Sequence, residues 1–193
     1  MSNKIVYLIS GGIAAGKSTL SYNVMRKLHL EQLPFVSTDI YYKEFFSQNV
    51  SFDVGYARAR TYTDKIIDYY IRIEQSFVWE TVVSKEKKIS TIHKLKECGY
   101  KLIYFFVGTS SAKIATQRSD KRVEEGNHFV GEDFIIDRYE RSLKTFPVVL
   151  QYADVAAVFD NTDELTLIYY KGETTFRTNC PPQWFKDRIH AED

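Results

Sequence analysis

Cysteine is scarce in this sequence, and its placement argues against a cysteine-based site. The two cysteines, Cys98 and Cys180, are far apart, and neither stands in a Cys-x-x-Cys or cysteine–histidine pattern. Metal binding or redox chemistry through cysteine is therefore not indicated. A reducing cytoplasm is the compartment we expect for such a chain.

Excess charge and long apolar runs are lacking as well. The formal net charge is +1, whereas nucleic-acid-binding proteins usually carry a basic excess or a basic stripe. The first apolar run, residues 5–9, is too short to span a bilayer, and no small-residue cleavage site follows it. We therefore expect a cytoplasmic protein with no nucleic-acid partner and no membrane partner.

The size and composition of the chain are those of one soluble domain. Its 193 residues are 44% hydrophobic and 26% charged, which is ordinary for a globular protein that buries a core. No internal repeat, low-complexity tract or linker rich in proline and glycine divides the sequence. We expect residues 1–193 to form a single domain.

Strand-like and helix-like segments alternate along the chain, which predicts a parallel sheet with right-handed crossovers. Short apolar runs predict strands over residues 4–10, 35–37, 77–79, 101–107 and 153–159. Apolar residues at helical spacing predict helices over residues 17–29, 56–75, 84–98, 110–125 and 132–151. A β-hairpin over about 165–178 and a short helix over 181–190 complete the pattern. The expected fold is a three-layer α/β sandwich with a central, mostly parallel sheet.

The most informative stretch is LISGGIAAGKSTL, which runs from Leu8 to Leu20. Its residues Gly11 to Ser18 fit Gly-x-x-x-x-Gly-Lys-Ser between an apolar strand and a helix. In such a loop, backbone N–H groups and the helix N-terminus bind phosphate, the lysine reaches the outer phosphates and the serine binds Mg²⁺. The sequence therefore predicts nucleotide and Mg²⁺ binding by Gly11, Gly12, Ile13, Ala14, Ala15, Gly16, Lys17 and Ser18.

Polar residues follow two other predicted strands, at the edge of the sheet where ligands of such folds bind. Asp39 is either a helix cap or a group that serves the reaction, as general base or as an outer ligand of magnesium. Glu80, with the hydroxyls of Thr81 and Ser84, either caps the next helix or lines a polar acceptor pocket.

Basic residues on two successive predicted helices form a candidate lid over about residues 111–145. Arg118 and Arg122 are four positions apart on the first helix, so they share a face, and Arg138 lies on the second. Acidic residues are equally frequent there, so one alternative is a pair of solvated helix faces with ion pairs. The other is a lid whose arginines stabilise charge on a transferred phosphoryl group.

The phosphate loop alone does not separate kinases from other nucleotide-binding proteins. The Asn-Lys-x-Asp motif that GTPases use for guanine is absent from the sequence. The strand KLIYFFVGTS ends without the acidic pair that is typical of transport ATPases. A kinase for a small molecule is therefore favoured.

Four segments resemble the zeta-toxin-like P-loop kinases, in particular their compact bacterial branch. They are SFVWETVVS, GYKLIYFFV, RVEEGNHFVGEDFIIDRYERSL and VFDNT, and the resemblance extends from Ile5 to Thr162. It implies ATP-dependent phosphorylation of a hydroxyl on a small acceptor. Zeta toxins act on UDP-N-acetylglucosamine, and the resemblance also implies a protein antitoxin as a further partner.

The resemblance also implies roles for individual residues. It assigns ATP and Mg²⁺ to Lys17, Ser18 and the adjacent Thr19. It further implies Asp39 as catalytic base, Glu80 and Thr81 facing the acceptor, Arg122 and Arg138 on the phosphates, and Asn161 near the adenine. Rival functions remain: a kinase for another small molecule such as an antibiotic, polyol or dinucleotide, and a nucleotide-dependent ATPase or switch without an acceptor.

Two features depart from the family pattern. Ile13-Ala14 replaces the commoner Asn-Gly of the loop, so Ala14 either keeps a negative φ or bears strain that glycine would avoid. The aromatic segment 41–46 is unusual, and its rings either stack on an acceptor base or pack in the core. Core packing is the interpretation we favour, because aromatic side chains are usually buried. The identity of the acceptor is left open.

Overall fold

The computed structural model describes residues 4–124 and 131–189. The strands of this part of the chain are Ile5–Gly11 (β1), Phe35–Ser37 (β2), Phe77–Thr81 (β3), Lys101–Gly108 (β4), Val155–Asp160 (β5), Thr166–Lys171 (β6) and Thr175–Arg177 (β7). The helices are Lys17–Lys27 (α1), Thr38–Tyr41 (α2), Phe52–Arg72 (α3), Glu86–Glu97 (α4), Ala112–Glu124 (α5), Glu132–Tyr152 (α6) and Gln183–Lys186 (α7). A π-helical turn, Tyr42–Phe46, follows α2 directly.

All the strands belong to one sheet with the order β2-β3-β1-β4-β5-β6-β7. Strands β1 to β5 pair in parallel, whereas β6 pairs antiparallel with β5 and β7 antiparallel with β6. In the centre of the sheet, Leu8 stands opposite Trp79 on one side and Tyr104 on the other. The predicted, mostly parallel sheet with a C-terminal hairpin is confirmed.

Helices cover both faces of this sheet, so the parallel strands are buried on both sides. Alternate residues of each strand face opposite layers: Leu8 and Trp79 belong to one apolar core, Ile9 and Val78 to the other. The first core also contains buried side chains of α3, α4, α6 and α7, and the second contains side chains of α1. The predicted three-layer arrangement is therefore confirmed.

Helix α3 begins at Phe52, earlier than the apolar pattern predicts. The buried face of its first half consists of small and polar residues at four-residue spacing, Gly55, Ala59 and Thr63, and it continues with the apolar Ile67. A Cβ atom on Gly55 would lie only 2.3 Å from the carbonyl oxygen of Phe46, so glycine allows the helix to approach the π-helical turn. The apolar pattern therefore predicts the helix from residue 56 onward and misses its first turn.

The prediction that the aromatic residues of segment 41–46 pack in the core is wrong for Tyr42, Phe45 and Phe46, whereas Tyr41 is partly buried against the first core. No residue of the π-helical turn is buried, and Phe45 is 60% exposed. The rings pack on one another and on α3 instead, with centroids 5.0 Å apart for Tyr41 and Tyr62 and 5.8 Å apart for Phe46 and Tyr62. The physical reason is position: the segment follows β2, the edge strand, beyond which the sheet offers no further surface to cover it.

Two sequence predictions fall partly outside the described residues. The predicted lid over about 111–145 includes residues 125–130, which are not described, and the predicted C-terminal helix ends at residue 190, which is not described either. The lid helices themselves are α5 and α6. Within residues 4–124 and 131–189, no helix has both the length and the apolar character needed to cross a bilayer.

Asp154 precedes β5 and connects it to β4 and α4, at the end of the sheet that lies opposite the phosphate loop. Its Oδ2 accepts hydrogen bonds from the Leu102 backbone N–H at 2.7 Å and from Lys96 Nζ at 2.5 Å. Partial burial acts to raise the pKa of Asp154, but these two donors outweigh it and hold the pKa below its ordinary value of 3.8. The ionised carboxylate thus stabilises the fold at neutral pH, and this contribution is lost as the pH falls through the lower pKa of the folded protein.

We expect Asp154→Asn to lower the free energy of unfolding by about 1 kcal/mol at pH 7, a figure reduced for solvent screening of a partly exposed group. The difference from the wild type should fade between roughly pH 4 and pH 2, because the wild-type carboxyl then becomes protonated. Urea unfolding at pH 7 and at about pH 2 measures this difference in the free energy of unfolding. Asp120→Asn, on the exposed surface of α5, is the control. An equal loss for Asp154→Asn at both pH values would contradict this account.

Candidate active site

The loop between β1 and α1 depends on two of its glycines. Gly16 has a φ of 103°, in the left-handed region, and a Cβ atom there would lie 2.4 Å from Nδ2 of Asn161. A Cβ atom on Gly11 would lie 2.2 Å from the carbonyl oxygen of Val107. The neighbouring strands therefore hold the loop so closely that no side chain fits at either position.

Ala14 also adopts the left-handed region, with a φ of 53°, and it is buried. The sequence left open whether Ala14 keeps a negative φ or bears strain, and the structure shows the strained conformation. For a residue with a Cβ atom, this conformation costs about 1–2 kcal/mol relative to the right-handed one. The alanine at this position thus leaves strain in the loop.

Lys17 is buried at the first position of α1. Its Nζ donates a hydrogen bond of 2.7 Å to the carbonyl oxygen of Gly12, within the same loop. Burial lowers the pKa of Lys17, the negative charges of Glu80 and Asp39 act to raise it, and the positive charge of Arg122 acts to lower it. The predicted base and one predicted lid arginine therefore both lie within electrostatic reach of the loop lysine.

Glu80, at the end of β3, is buried and points at the first turn of α1. Its Oε2 accepts a hydrogen bond of 2.6 Å from Ser21 Oγ, and its Oε1 accepts a longer one of 3.5 Å from Ser18 Oγ. The sequence predicted Glu80 on the acceptor side and did not predict Ser21 at all. Ser21 lies one helical turn after Lys17, and that spacing is the signal by which it could have been found.

The neighbouring oxygens of Ser18 and Glu80 are the kind of ligand that Mg²⁺ prefers, because it is a hard cation. Among residues 4–124 and 131–189, no group of three or more histidine, cysteine or acidic side chains could hold a metal ion by itself. Such a sparse donor set suits Mg²⁺, which is usually bound by one or two side chains together with substrate phosphates and water. These residues therefore fit the predicted metal.

Asp39 lies in the first turn of α2, directly after β2. Its Oδ1 accepts a hydrogen bond of 2.7 Å from the hydroxyl of Tyr56, a residue that the sequence did not indicate. Asp39, Ser18 and Glu80 line one cavity of about 300 Å³, whose walls also include Tyr22 and Phe35. The structure thus brings the predicted base and the predicted metal ligand to the same cavity.

The other predicted acceptor residues lie next to one arginine of the lid. Arg138 donates a hydrogen bond to the buried hydroxyl of Ser84, and its guanidinium lies over the Phe134 ring, 4.8 Å from the centroid. Thr81 is half-buried at the end of β3. Of the two predicted lid arginines, Arg138 thus contacts Ser84, and Arg122 affects the charge of Lys17.

Asn161 and Arg118 belong to the far side of the loop. The side-chain amide of Asn161 donates a hydrogen bond of 2.9 Å to the carbonyl oxygen of Ala15, and its backbone N–H donates to Gly108. Arg118 donates to the carbonyl oxygen of Thr162. The amide that was predicted to meet the adenine thus holds the phosphate loop against the end of β5.

The family model of the zeta toxin matches residues 2–174. The chain belongs to the zeta-toxin family. No curated protein gave a significant match. The resemblance seen in the four sequence segments is thereby confirmed.

Solved structures share the fold of this zeta-toxin family member. A chain of the AvrRxo1-ORF1:AvrRxo1-ORF2 structure with sulphate ions is 14% identical, with a TM-score of 0.70, and the match covers 96% of this chain and 63% of that one. The same pair with ATP gives 15% identity, a TM-score of 0.67 and coverages of 92% and 61%. A chain of the PezAT toxin–antitoxin system of Streptococcus pneumoniae is 16% identical, with a TM-score of 0.68, and the match covers 99% of this chain and 80% of that one. At such identities the likeness shows the fold, and this chain spans less than two thirds of the AvrRxo1 chains.

We expect Ala14→Gly to raise the free energy of unfolding by about 1 kcal/mol, because glycine adopts a φ of 53° without strain. Ala15→Gly is the matched control. Ala15 is also buried but has no positive φ, so glycine there should lower stability by roughly 0.5–1 kcal/mol. Urea unfolding without nucleotide measures both variants. If both lowered stability equally, the loop would carry no strain at Ala14.

Proposed function

We propose that this chain is an ATP-dependent kinase that phosphorylates a hydroxyl group of a small, nucleotide-linked acceptor, with UDP-N-acetylglucosamine favoured. Membership of the zeta-toxin family supports the kinase. The observation that carries the proposal is the common cavity of Ser18, Glu80 and Asp39 beside the phosphate loop. This cavity supports the proposal because the carboxylate of Asp39 lies in it together with Ser18, the residue next to Lys17 of the phosphate loop.

Residues of the loop and lid bind the nucleotide in this proposal. The backbone of residues 11–16 and the N-terminus of α1 bind phosphate oxygens, with Thr19 at the same end of the helix. Lys17 exchanges its bond to Gly12 for the outer phosphates, and Arg122 supplies a second positive charge to the transferred group. Asn161 holds the loop in shape through Ala15.

Ser18 and Glu80 would hold Mg²⁺, the hydroxyl as a direct ligand and the carboxylate beside it. When bound, the ion neutralises negative charge on the phosphates. Ser21 fixes the Glu80 carboxylate by its hydrogen bond of 2.6 Å. This assignment moves Glu80 from the acceptor side, where the sequence placed it, to the metal side of the cavity.

Asp39 is the general base in the proposed reaction. Its carboxylate accepts the proton of the acceptor hydroxyl while the hydroxyl oxygen attacks the γ-phosphorus. A new O–P bond forms, the bond from the γ-phosphorus to the bridging oxygen breaks, and ADP leaves. In this proposal Thr81 and Ser84 orient the acceptor, and Arg138, which donates to Ser84, acts with them rather than on the phosphates as the sequence predicted. We also propose a protein antitoxin as partner, which the family supports.

The mass of the product tests the proposed function. The protein is incubated with ATP, Mg²⁺ and UDP-N-acetylglucosamine, in parallel with an extract of small metabolites. We expect a product heavier by one phosphoryl group, and a loss of roughly 10²- to 10⁴-fold in its rate of formation for Lys17→Ala and Asp39→Asn. Asp68→Asn, in an exposed ion pair with Lys94, is the control for a changed carboxylate.

Two results would contradict the proposal. Formation of ADP without a phosphorylated product, at the same rate in Asp39→Asn, would indicate an ATPase or switch in which the aspartate is structural. A product that appears only with the extract would keep the kinase and replace UDP-N-acetylglucosamine as acceptor.

The position of Glu80 gives a separate prediction. In Glu80→Gln, the Mg²⁺ concentration that half-saturates binding of Mg²⁺ with ADP should rise about tenfold, because the carboxylate beside the metal ligand loses its charge. Binding of ADP without Mg²⁺ should not change, and isothermal titration calorimetry measures both. Glu97→Gln, in an exposed pair with His93, is the control. An unchanged Mg²⁺ requirement with a raised KM for the acceptor would return Glu80 to the acceptor side.

A further inference from the structure

Tyr56 makes a direct contact with the proposed base that the proposed mechanism does not use. Its hydroxyl donates a hydrogen bond of 2.7 Å to Oδ1 of Asp39, although the two residues are 17 positions apart in the chain. Tyr56 therefore binds one of the two oxygens of Asp39 from helix α3.

Aromatic packing fixes the position of the Tyr56 ring. The Phe52 ring stacks on it with centroids 5.2 Å apart, and the Tyr42 ring lies at 5.8 Å. The guanidinium of Arg60 lies over the ring, 5.8 Å from its centroid. With neighbours on several sides, the ring has little freedom to turn its hydroxyl away from Asp39.

The Tyr56 hydroxyl keeps its proton under physiological conditions. Burial raises the pKa of Tyr56, and the adjacent negative charge of Asp39 and the hydrogen bond between them raise it further. The positive charges of Arg138 and Arg60 act in the opposite direction but do not outweigh these effects. Tyr56 is therefore a donor to the carboxylate and does not compete with it for the proton of an acceptor.

A second contact holds the backbone of Asp39 against the same helix. The hydroxyls of Thr38 and Thr63 are 3.0 Å apart, and Thr63 also donates to the carbonyl oxygen of Ala59. Tyr56 and Thr63 are two helical turns apart, so they lie on one face of α3. Helix α3 therefore holds two successive residues of α2, one by its threonine and one by its tyrosine.

We propose that Tyr56 is a positioning residue for Asp39: by binding Oδ1, it holds the carboxylate so that Oδ2 receives the proton of the acceptor hydroxyl. The inference rests on the proposed function, because it gives Asp39 the role of base. A carboxylate free to rotate about its last torsion would spend much of its time in unproductive orientations. The hydrogen bond removes that freedom before the acceptor binds.

Tyr56→Phe tests the inference, because it removes the hydroxyl and keeps the packed ring. We expect kcat for phosphorylation of UDP-N-acetylglucosamine to fall roughly ten- to a hundredfold, with KM for ATP unchanged, since the phosphate loop is not touched. Tyr62→Phe is the matched control, because Tyr62 lies on the same helix and in the same aromatic cluster. It should keep wild-type kcat, and thermal unfolding should show both variants folded.

The same substitution in the Asp39→Asn background separates positioning from general support of the fold. If Tyr56 acts through Asp39, Tyr56→Phe should cost less than twofold in that background in a single-turnover assay. The same fold-loss in both backgrounds, or wild-type kcat in Tyr56→Phe alone, would overturn the inference while the proposed function stands. Absence of any phosphorylated product from the wild-type protein, with this acceptor and with the metabolite extract, would overturn both.

Discussion

The ammonium of Lys17 is buried at the edge of the sheet, and a buried charge is costly unless oxygen atoms compensate it. Here the Gly12 carbonyl provides a direct hydrogen bond, while the carboxylates of Glu80 and Asp39 provide negative charge nearby. The loop therefore folds back on its own lysine, and acids lie on one side of it, Glu80 at the end of β3 and Asp39 after β2. The glycine at position 16 and the strained conformation of Ala14 follow from that path of the backbone.

The order of the strands brings the functional residues together at one end of the sheet. Because parallel strands lie about 4.8 Å apart, residues at their ends are placed in even steps along one edge. The phosphate loop follows β1 in the middle; Glu80 is one strand away on β3, and Asp39 is two strands away after β2. On the other side, Asn161 is also two strands away, after β5. The nucleotide loop thus lies between the proposed base and the amide that supports the loop.

The sequence predicted what local patterns encode and missed what packing decides. The phosphate loop, the parallel strands and the polar strand ends are visible because each depends on a few consecutive residues. The contacts of Ser21 with Glu80 and of Arg138 with Ser84 join residues 59 and 54 positions apart, and no spacing rule connects such pairs. The aromatic segment was misplaced because composition does not tell that the preceding strand lies at the edge of the sheet. The role of Tyr56 was not predicted, because its hydrogen bond to Asp39 joins two different helices and residues 17 positions apart.

The hydrogen bond from Asn161 to Ala15 has a thermodynamic consequence for ligand recognition. Together with the Glu80 bonds to the first turn of α1, it restrains the phosphate loop from both sides. A loop that is already ordered loses little conformational entropy when a phosphate chain arrives, so more of the interaction energy remains as affinity. The same restraint makes the shape of the loop selective, because a ligand that does not match it cannot be accommodated by rearrangement. The part of the site that would bind the phosphates is therefore rigid, and this does not depend on which acceptor is bound.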